Sequence, residues 1–233
     1  MELMGSLAIV TGATEGIGRA TALALGRAGA RLAICARTAA NVQATVRDLR
    51  AAGADAIGMP CDVSDPACVA AFAAFVLRER GAPRVLVNNA GIGRFKPLSE
   101  LSLEEWDETM GVNVRSLFLV TRAFLPEMKA AGVGTIVNIA SLAGKNGVEG
   151  GTAYCASKHA VLGFSKSLML EVRKAGLRVV AICPGSVDTG FREARANRDR
   201  MLTADDVAHA VVATVTASDR AMISELDIRP TNP

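Results

Sequence analysis

The feature that most restricts the fold stands at the start of the chain. SLAIVTG (Ser6 to Gly12) is an apolar strand running into glycine, and GIGRATALALGRAGA opens a helix near Ile17. Between them lies Thr11-Gly12-x-x-x-Gly16-x-Gly18. Strand, glycine turn and helix N-terminus in that order make an anion site, because free backbone N–H groups and the positive end of the helix dipole face the ligand. The same alternation then repeats along the chain. RLAICA (31–36), DAIGMPCDV (55–63), RVLVNNAG (84–91), VGTIVNIAS (133–141), LRVVAICPG (177–185) and AMISELDI (221–228) read as six further strands separated by helical stretches. Such a pattern predicts an α/β protein: a doubly wound parallel sheet of about seven strands with helices on both faces. The chain has 233 residues, half of them hydrophobic, with no repeat or linker, so one domain over 1–233 is expected.

Finer features follow from that frame. In a dinucleotide fold the second strand ends beside the adenosine ribose, where an acidic residue would hold the 2′-hydroxyl of NAD. Here Ala36 and Arg37 stand instead. Arginine forms a fork suited to a 2′-phosphate, which predicts NADP(H), with NAD(H) the alternative. Glu15, beside the glycine turn, is an unfavourable neighbour for that phosphate. Asp62 ends the third strand, Ser64 is the expected cap of the helix after it, and Asn88-Asn89-Ala90-Gly91 closes the fourth. One long helix is expected from about Leu103 to Ala130. Asn113 near its middle is a poor helix former, which points to a structural or chemical task.

Tyr154 is the only tyrosine. It lies in TAYCASKHAVLGFSKSLMLEV, which reads as a helix, and Lys158 follows four positions later on the same face. A phenol with a pKa of about 10 is a poor acid or base at neutral pH. A neighbouring ammonium favours phenolate and brings the group toward a working range. Ser141 sits at the end of the strand preceding this helix.

Composition excludes several classes. The net charge of +3 and the 4% aromatic content argue against nucleic acid and anionic membrane. No apolar run approaches the ~20 residues of a membrane span. Cys35, Cys61, Cys68, Cys155 and Cys183 lack metal-ligand spacing, so no metal is expected and the thiols read as reduced core residues. Met1 to Val10 lacks a basic segment ahead of its apolar run, and a cytoplasmic protein is expected.

Taken together, the residues resemble the classical short-chain dehydrogenase/reductase family. The motifs are Thr11-Gly12-Ala13-Thr14-Glu15-Gly16-Ile17-Gly18, Asn88-Asn89-Ala90-Gly91, Asn113, Ser141, Tyr154-x-x-x-Lys158 and Pro184-Gly185-Ser186-Val187-Asp188-Thr189. The resemblance implies a Rossmann-type sheet and hydride transfer between nicotinamide and a carbonyl or secondary alcohol, including 3-oxoacyl thioesters. By that likeness Tyr154 is the general acid–base, Ser141 polarises the substrate oxygen, Lys158 holds the nicotinamide ribose, and Asn113 holds a water of the proton relay. Cofactor contacts are implied for Gly12, Thr14, Glu15, Gly16, Ile17 and Gly18 and for Asp62 and Val63 at the adenine. Asn89, Ala90 and Gly91 would line the groove, and Pro184, Gly185, Val187 and Thr189 would lie near the carboxamide. The likeness further implies a short substrate lid at 189–202 and a homodimer or homotetramer built from the helices at 103–130 and 151–174. Within the lid, Arg192, Arg195, Arg198 and Arg200 suit either an anionic substrate or a solvated helix. The tail SELDIRPTNP departs from the glycine-rich ending common in the family. The competing reading is a non-catalytic NADP(H) sensor or scaffold.

Overall fold

A computed structural model describes residues 3–191, 200–218 and 220–231. Seven strands form one parallel sheet: β1 (Leu7–Thr11), β2 (Arg31–Ala36), β3 (Ala56–Pro60), β4 (Val85–Asn88), β5 (Gly134–Ile139), β6 (Leu177–Pro184) and β7 (Glu225–Ile228). Their order is β3-β2-β1-β4-β5-β6-β7. Sequence order therefore reverses between β1 and β4, the place where open α/β sheets leave a crevice beyond their carboxyl ends.

The helices are α1 (Gly16–Arg27), α2 (Ala39–Ala51), α3 (Pro66–Arg80), α4 (Leu103–Met110), α5 (Ser116–Ala131), α6 (Thr152–Val172) and α7 (Ala204–Thr216). Every residue of β1, β4 and β5 is buried, as expected for strands covered on both faces. One face packs Val10 and Ile34 against Leu25, Leu49, Val207 and Val211. The other packs Ile9, Leu86 and Ile136 against Phe72, Phe124 and Met128, with the two phenyl rings edge to face at 6.0 Å. The edge strand β7 is only partly buried. Lys145 pairs with both Glu225 and Asp227, and Lys166 reaches Glu225 at 3.5 Å, so charges guard this sheet edge.

Three expectations are corrected in detail. The third strand stops at Pro60, leaving Asp62 in a turn where its Oδ1 accepts from Ser64 N at 2.9 Å and Ser64 Oγ at 2.7 Å. Ser64 is thereby engaged, and Asp65 caps α3 instead, accepting from Ala67 N with Pro66 in the first turn. The expected long helix is divided: α4 and α5 flank a π-helical turn at Gly111–Arg115. That turn widens the helix at Asn113 and carries its side chain inward, to 3% exposure. The expected lid falls mostly on residues 192–199, which lie outside the described residues. Among the described residues, no helix is long and apolar enough to cross a membrane, and no group of three or more His, Cys, Asp or Glu could hold a metal ion.

Candidate active site

A cavity of about 850 Å³ opens over the carboxyl ends of the central strands, at the switch point between β1 and β4. It is lined by Gly12, Thr14, Glu15, Gly16, Ile17, Gly18, Arg37, Asp62 and Val63, and by Asn89, Ala90, Gly91, Ser141, Tyr154, Lys158, Pro184, Gly185, Val187 and Thr189. Segments separated by up to 177 positions thus share one wall.

The floor at the amino end is built by close backbone approach. A Cβ on Gly18 would lie 2.2 Å from Gly12 O and 2.4 Å from Asn89 Nδ2, so only glycine fits there. Gly12 has φ +61°, and a Cβ on it would meet Ala90 Cα at 2.9 Å. Thr11 and Asn89 staple the two strand ends together. Thr11 Oγ1 accepts from the N–H groups of Asn89 and Ala90 at 3.0 and 3.1 Å. Asn89 Nδ2 donates to the carbonyls of Thr11 and Gly12 at 2.9 and 3.1 Å. The amide of Asn89 therefore shapes the groove by fixing its backbone. The Asp62 carboxyl lies below its usual range, mainly because Ser64 hydrogen-bonds it, with the Arg37 guanidinium adding a smaller contribution.

At the other end, Ser141 caps the short helical turn after β5, its Oγ accepting from Ala143 N at 3.1 Å. Tyr154 lies in the first turn of α6 and lines the cavity together with Ser141, whose hydroxyl acts on the phenol. Lys158 is 5% exposed; its Nζ donates to Ile139 O at 2.9 Å and lies 5.7 Å from the Tyr154 ring centre. The lysine was expected to bring the phenol down toward neutrality. Burial instead raises the Tyr154 pKa, opposed only by the Ser141 hydroxyl. Burial also lowers Lys158 to about 8.

Asn113 stands behind the cavity wall. Its Oδ1 accepts from Ile92 N at 2.8 Å, and its Nδ2 donates to Ile92 O and to Ser157 Oγ, both at 2.9 Å. Ser157 Oγ in turn donates to Tyr154 O at 2.7 Å. Both amide donors are thus engaged with protein. The side chain brackets the loop after β4 to the helix that carries Tyr154.

Sequence reasoning missed the apolar half of the site. Phe95 and Phe191 flank Tyr154, with ring centres at 5.1 and 5.7 Å. Met201 and Val148 line the same cavity, as do Arg229 and Pro230 of the tail. The nearest signal was glycine: a Cβ on Gly93 would strike both Phe95 and Phe191, at 2.6 and 2.7 Å. Nothing local to these residues marks them as neighbours.

The model of the short chain dehydrogenase family matches residues 6–200. The chain belongs to that family. A metagenomic short-chain oxidoreductase, solved in complex with NADP, is 41% identical and superposes with a TM-score of 0.88 over 100% of both chains. A protein assigned as ketoacyl reductase 1 of the granaticin polyketide synthase of Streptomyces violaceoruber is 43% identical over 189 residues, covering 80% of this chain and 70% of that protein. The D-threitol dehydrogenase of Mycolicibacterium smegmatis is 42% identical over 187 residues, covering 80% and 72%. Relatives of nearly equal similarity thus carry names with different substrates, so overall identity does not choose among them.

Proposed function

We propose that the protein is an NADP(H)-dependent oxidoreductase that interconverts a carbonyl compound and its alcohol, with Tyr154 as general acid–base. The observation that carries this reading is the Tyr154–Ser141 hydroxyl pair, seated over buried Lys158, in the same cavity as the glycine turn. The cradle suits a dinucleotide: glycine at 12 and 18 lets the turn close against Asn89 and Ala90 where no Cβ would fit, and the N-terminal end of α1 stands at the cavity, where its free backbone N–H groups suit a pyrophosphate. Gly12 to Gly18 would hold the phosphates, Arg37 the 2′-phosphate, Asp62 and Val63 the adenine, and Lys158 the nicotinamide ribose. When bound, the nicotinamide supplies or accepts the hydride. The protein's own share is proton transfer and orientation. Tyr154, kept protonated by its burial, gives its proton to the carbonyl oxygen, while the Ser141 hydroxyl donates a hydrogen bond to the same atom. Phe95 and Phe191 hold the phenol in place and exclude water from it. NADPH oxidation followed by absorbance across a panel of ketones, aldehydes and 3-oxoacyl thioesters tests the reading; absence of turnover throughout the panel would overturn it.

The cofactor preference has its own test. Arg37→Asp should weaken NADPH binding about ten- to a hundredfold, the worth of a charge-assisted hydrogen bond, and improve NADH binding. Glu15→Arg should tighten NADPH if Glu15 faces the same phosphate as Arg37, since both line the cavity. Fluorescence titration of both cofactors decides this; a wild type that prefers NADH would refute the assignment of Arg37.

Assembly is proposed on the faces of α5 and α6. Phe118 on α5 is 47% exposed and Leu170 on α6 58% exposed, large apolar side chains that a second copy would cover. Light scattering should report a dimer or tetramer at micromolar concentration. A mass near the 24.2 kDa of one chain would reject the assembly.

A further inference from the structure

The tail after β7 returns to the site. Because β7 runs parallel to β6, the chain leaves it at the carboxyl edge of the sheet, the edge on which the cavity opens. Ile228 O accepts from Gly185 N at 2.8 Å, and a Cβ on Gly185 would lie 3.3 Å from Pro230 Cδ. Arg229 is held between these two anchors and lines the cavity, with its side chain 59% exposed. One of its nitrogens forms an ion pair with Asp227 at 3.6 Å, a carboxylate that Lys145 also holds. The guanidinium therefore keeps donors free for a ligand.

The surroundings define what that ligand is. The anchor places Arg229 near the Ser141 end of the cavity, since a Cβ on Gly185 would lie 3.3 Å from both Leu142 Cδ1 and Pro230 Cδ; Lys158 and Arg200 are further cations of the lining. The Asp62 carboxylate is partly offset by the Arg37 guanidinium. Phe95 and Phe191 supply an apolar wall around Tyr154, close to Lys158, and Met201 lines the same cavity. An apolar wall with a positive rim fits an amphiphilic ketone, and a guanidinium fork matches a carboxylate in two parallel hydrogen bonds. We infer that Arg229 is a specificity residue that selects carbonyl substrates bearing a carboxylate at the end remote from the reacting carbon. This role rests on the oxidoreductase function proposed above.

Benzoylpropionate and its neutral amide, benzoylpropionamide, nearly equal in shape, isolate the charge. The ratio of their kcat/KM values, acid over amide, should fall about ten- to a hundredfold in Arg229→Gln, and further in Arg229→Glu, with the change mainly in KM. A ratio that stays constant in both variants overturns the inference. So does a loss of NADPH affinity in Arg229→Gln with the ratio unchanged, since the guanidinium would then serve the cofactor. If wild type reduces neither ketone, the oxidoreductase reading is decided by the wider carbonyl panel, not by this pair. Calorimetric titration of benzoylpropionate then judges Arg229 by itself: binding to wild type that is lost in Arg229→Glu supports it, and equal binding or none to wild type rejects it.

Discussion

Tyr154→Phe is expected to lower turnover of any carbonyl substrate by roughly 10²–10⁴-fold, the usual worth of a positioned general acid. The substitution removes one hydroxyl and leaves a ring of the same shape between Phe95 and Phe191, so folding and cofactor affinity should change little. Retention of more than about a tenth of the wild-type rate would remove Tyr154 from the proton transfer. The direction of its pKa adds a second readout. Burial raises the phenol above its ordinary value of 10.0, so the hydroxyl is protonated throughout the neutral range. Reduction needs the protonated form and should be insensitive to pH near neutrality. Alcohol oxidation needs the phenolate, so its rate should rise as pH increases, and a stopped or falling profile in that direction would contradict the assignment.

Lys158→Met should damage function and strengthen the fold at the same time. Loss of the ammonium removes the proposed ribose contact and the one cation beneath Tyr154, so NADPH affinity should drop about ten- to a hundredfold and turnover with it. Stability moves the other way. Burial lowers the lysine pKa from 10.5 to about 8, which corresponds to about 3 kcal/mol against holding the charged form at pH 7. Replacing it loses a charge-assisted hydrogen bond to Ile139 O, about 2 kcal/mol. The balance predicts a more stable variant by about 1 kcal/mol, or roughly 2–4 °C in Tm for a chain of this size. The sign with pH follows from proton linkage. The folded lysine has the depressed pKa, so its penalty is fully present below pH 8 and fades as pH rises from about 8 toward 10.5. The Tm advantage of the variant should shrink over that window. A Tm lower than wild type at pH 7, or unchanged cofactor binding, would show that the lysine is a structural residue.

How far the sequence reached differs from residue to residue. The glycine turn was legible because its meaning is local: a strand end, a sharp turn and a helix start lie within 13 residues, Ser6 to Gly18. Tyr154 and Lys158 were legible because helical periodicity alone puts them on one face. Asn113 was marked as unusual by its propensity, but its partners were not visible. Ile92 and Ser157 lie 21 and 44 positions away, and the π-helical turn that aims the side chain at them has no simple period. The cap of α3 was misplaced by one residue because Ser64 and Asp65 are both good caps, and the choice fell to Asp62, which takes Ser64 for its own turn.

By itself, the sequence determined the order of strands and helices, the parallel sheet and the candidate residues of the phosphate turn and the Tyr154–Lys158 pair. These follow from apolar periodicity, glycine placement and i, i+4 spacing, all of which act over a few residues. Only the tertiary structure decided which distant segments meet: Ser141 against Tyr154, Phe95 and Phe191 around the phenol, and Arg229 at the mouth of the cavity. It also decided the sign of the electrostatics. A lysine four residues from a tyrosine suggests a lowered phenol pKa in solution. Inside the cavity both groups are desolvated, and desolvation is the largest influence on each, raising the phenol and lowering the ammonium.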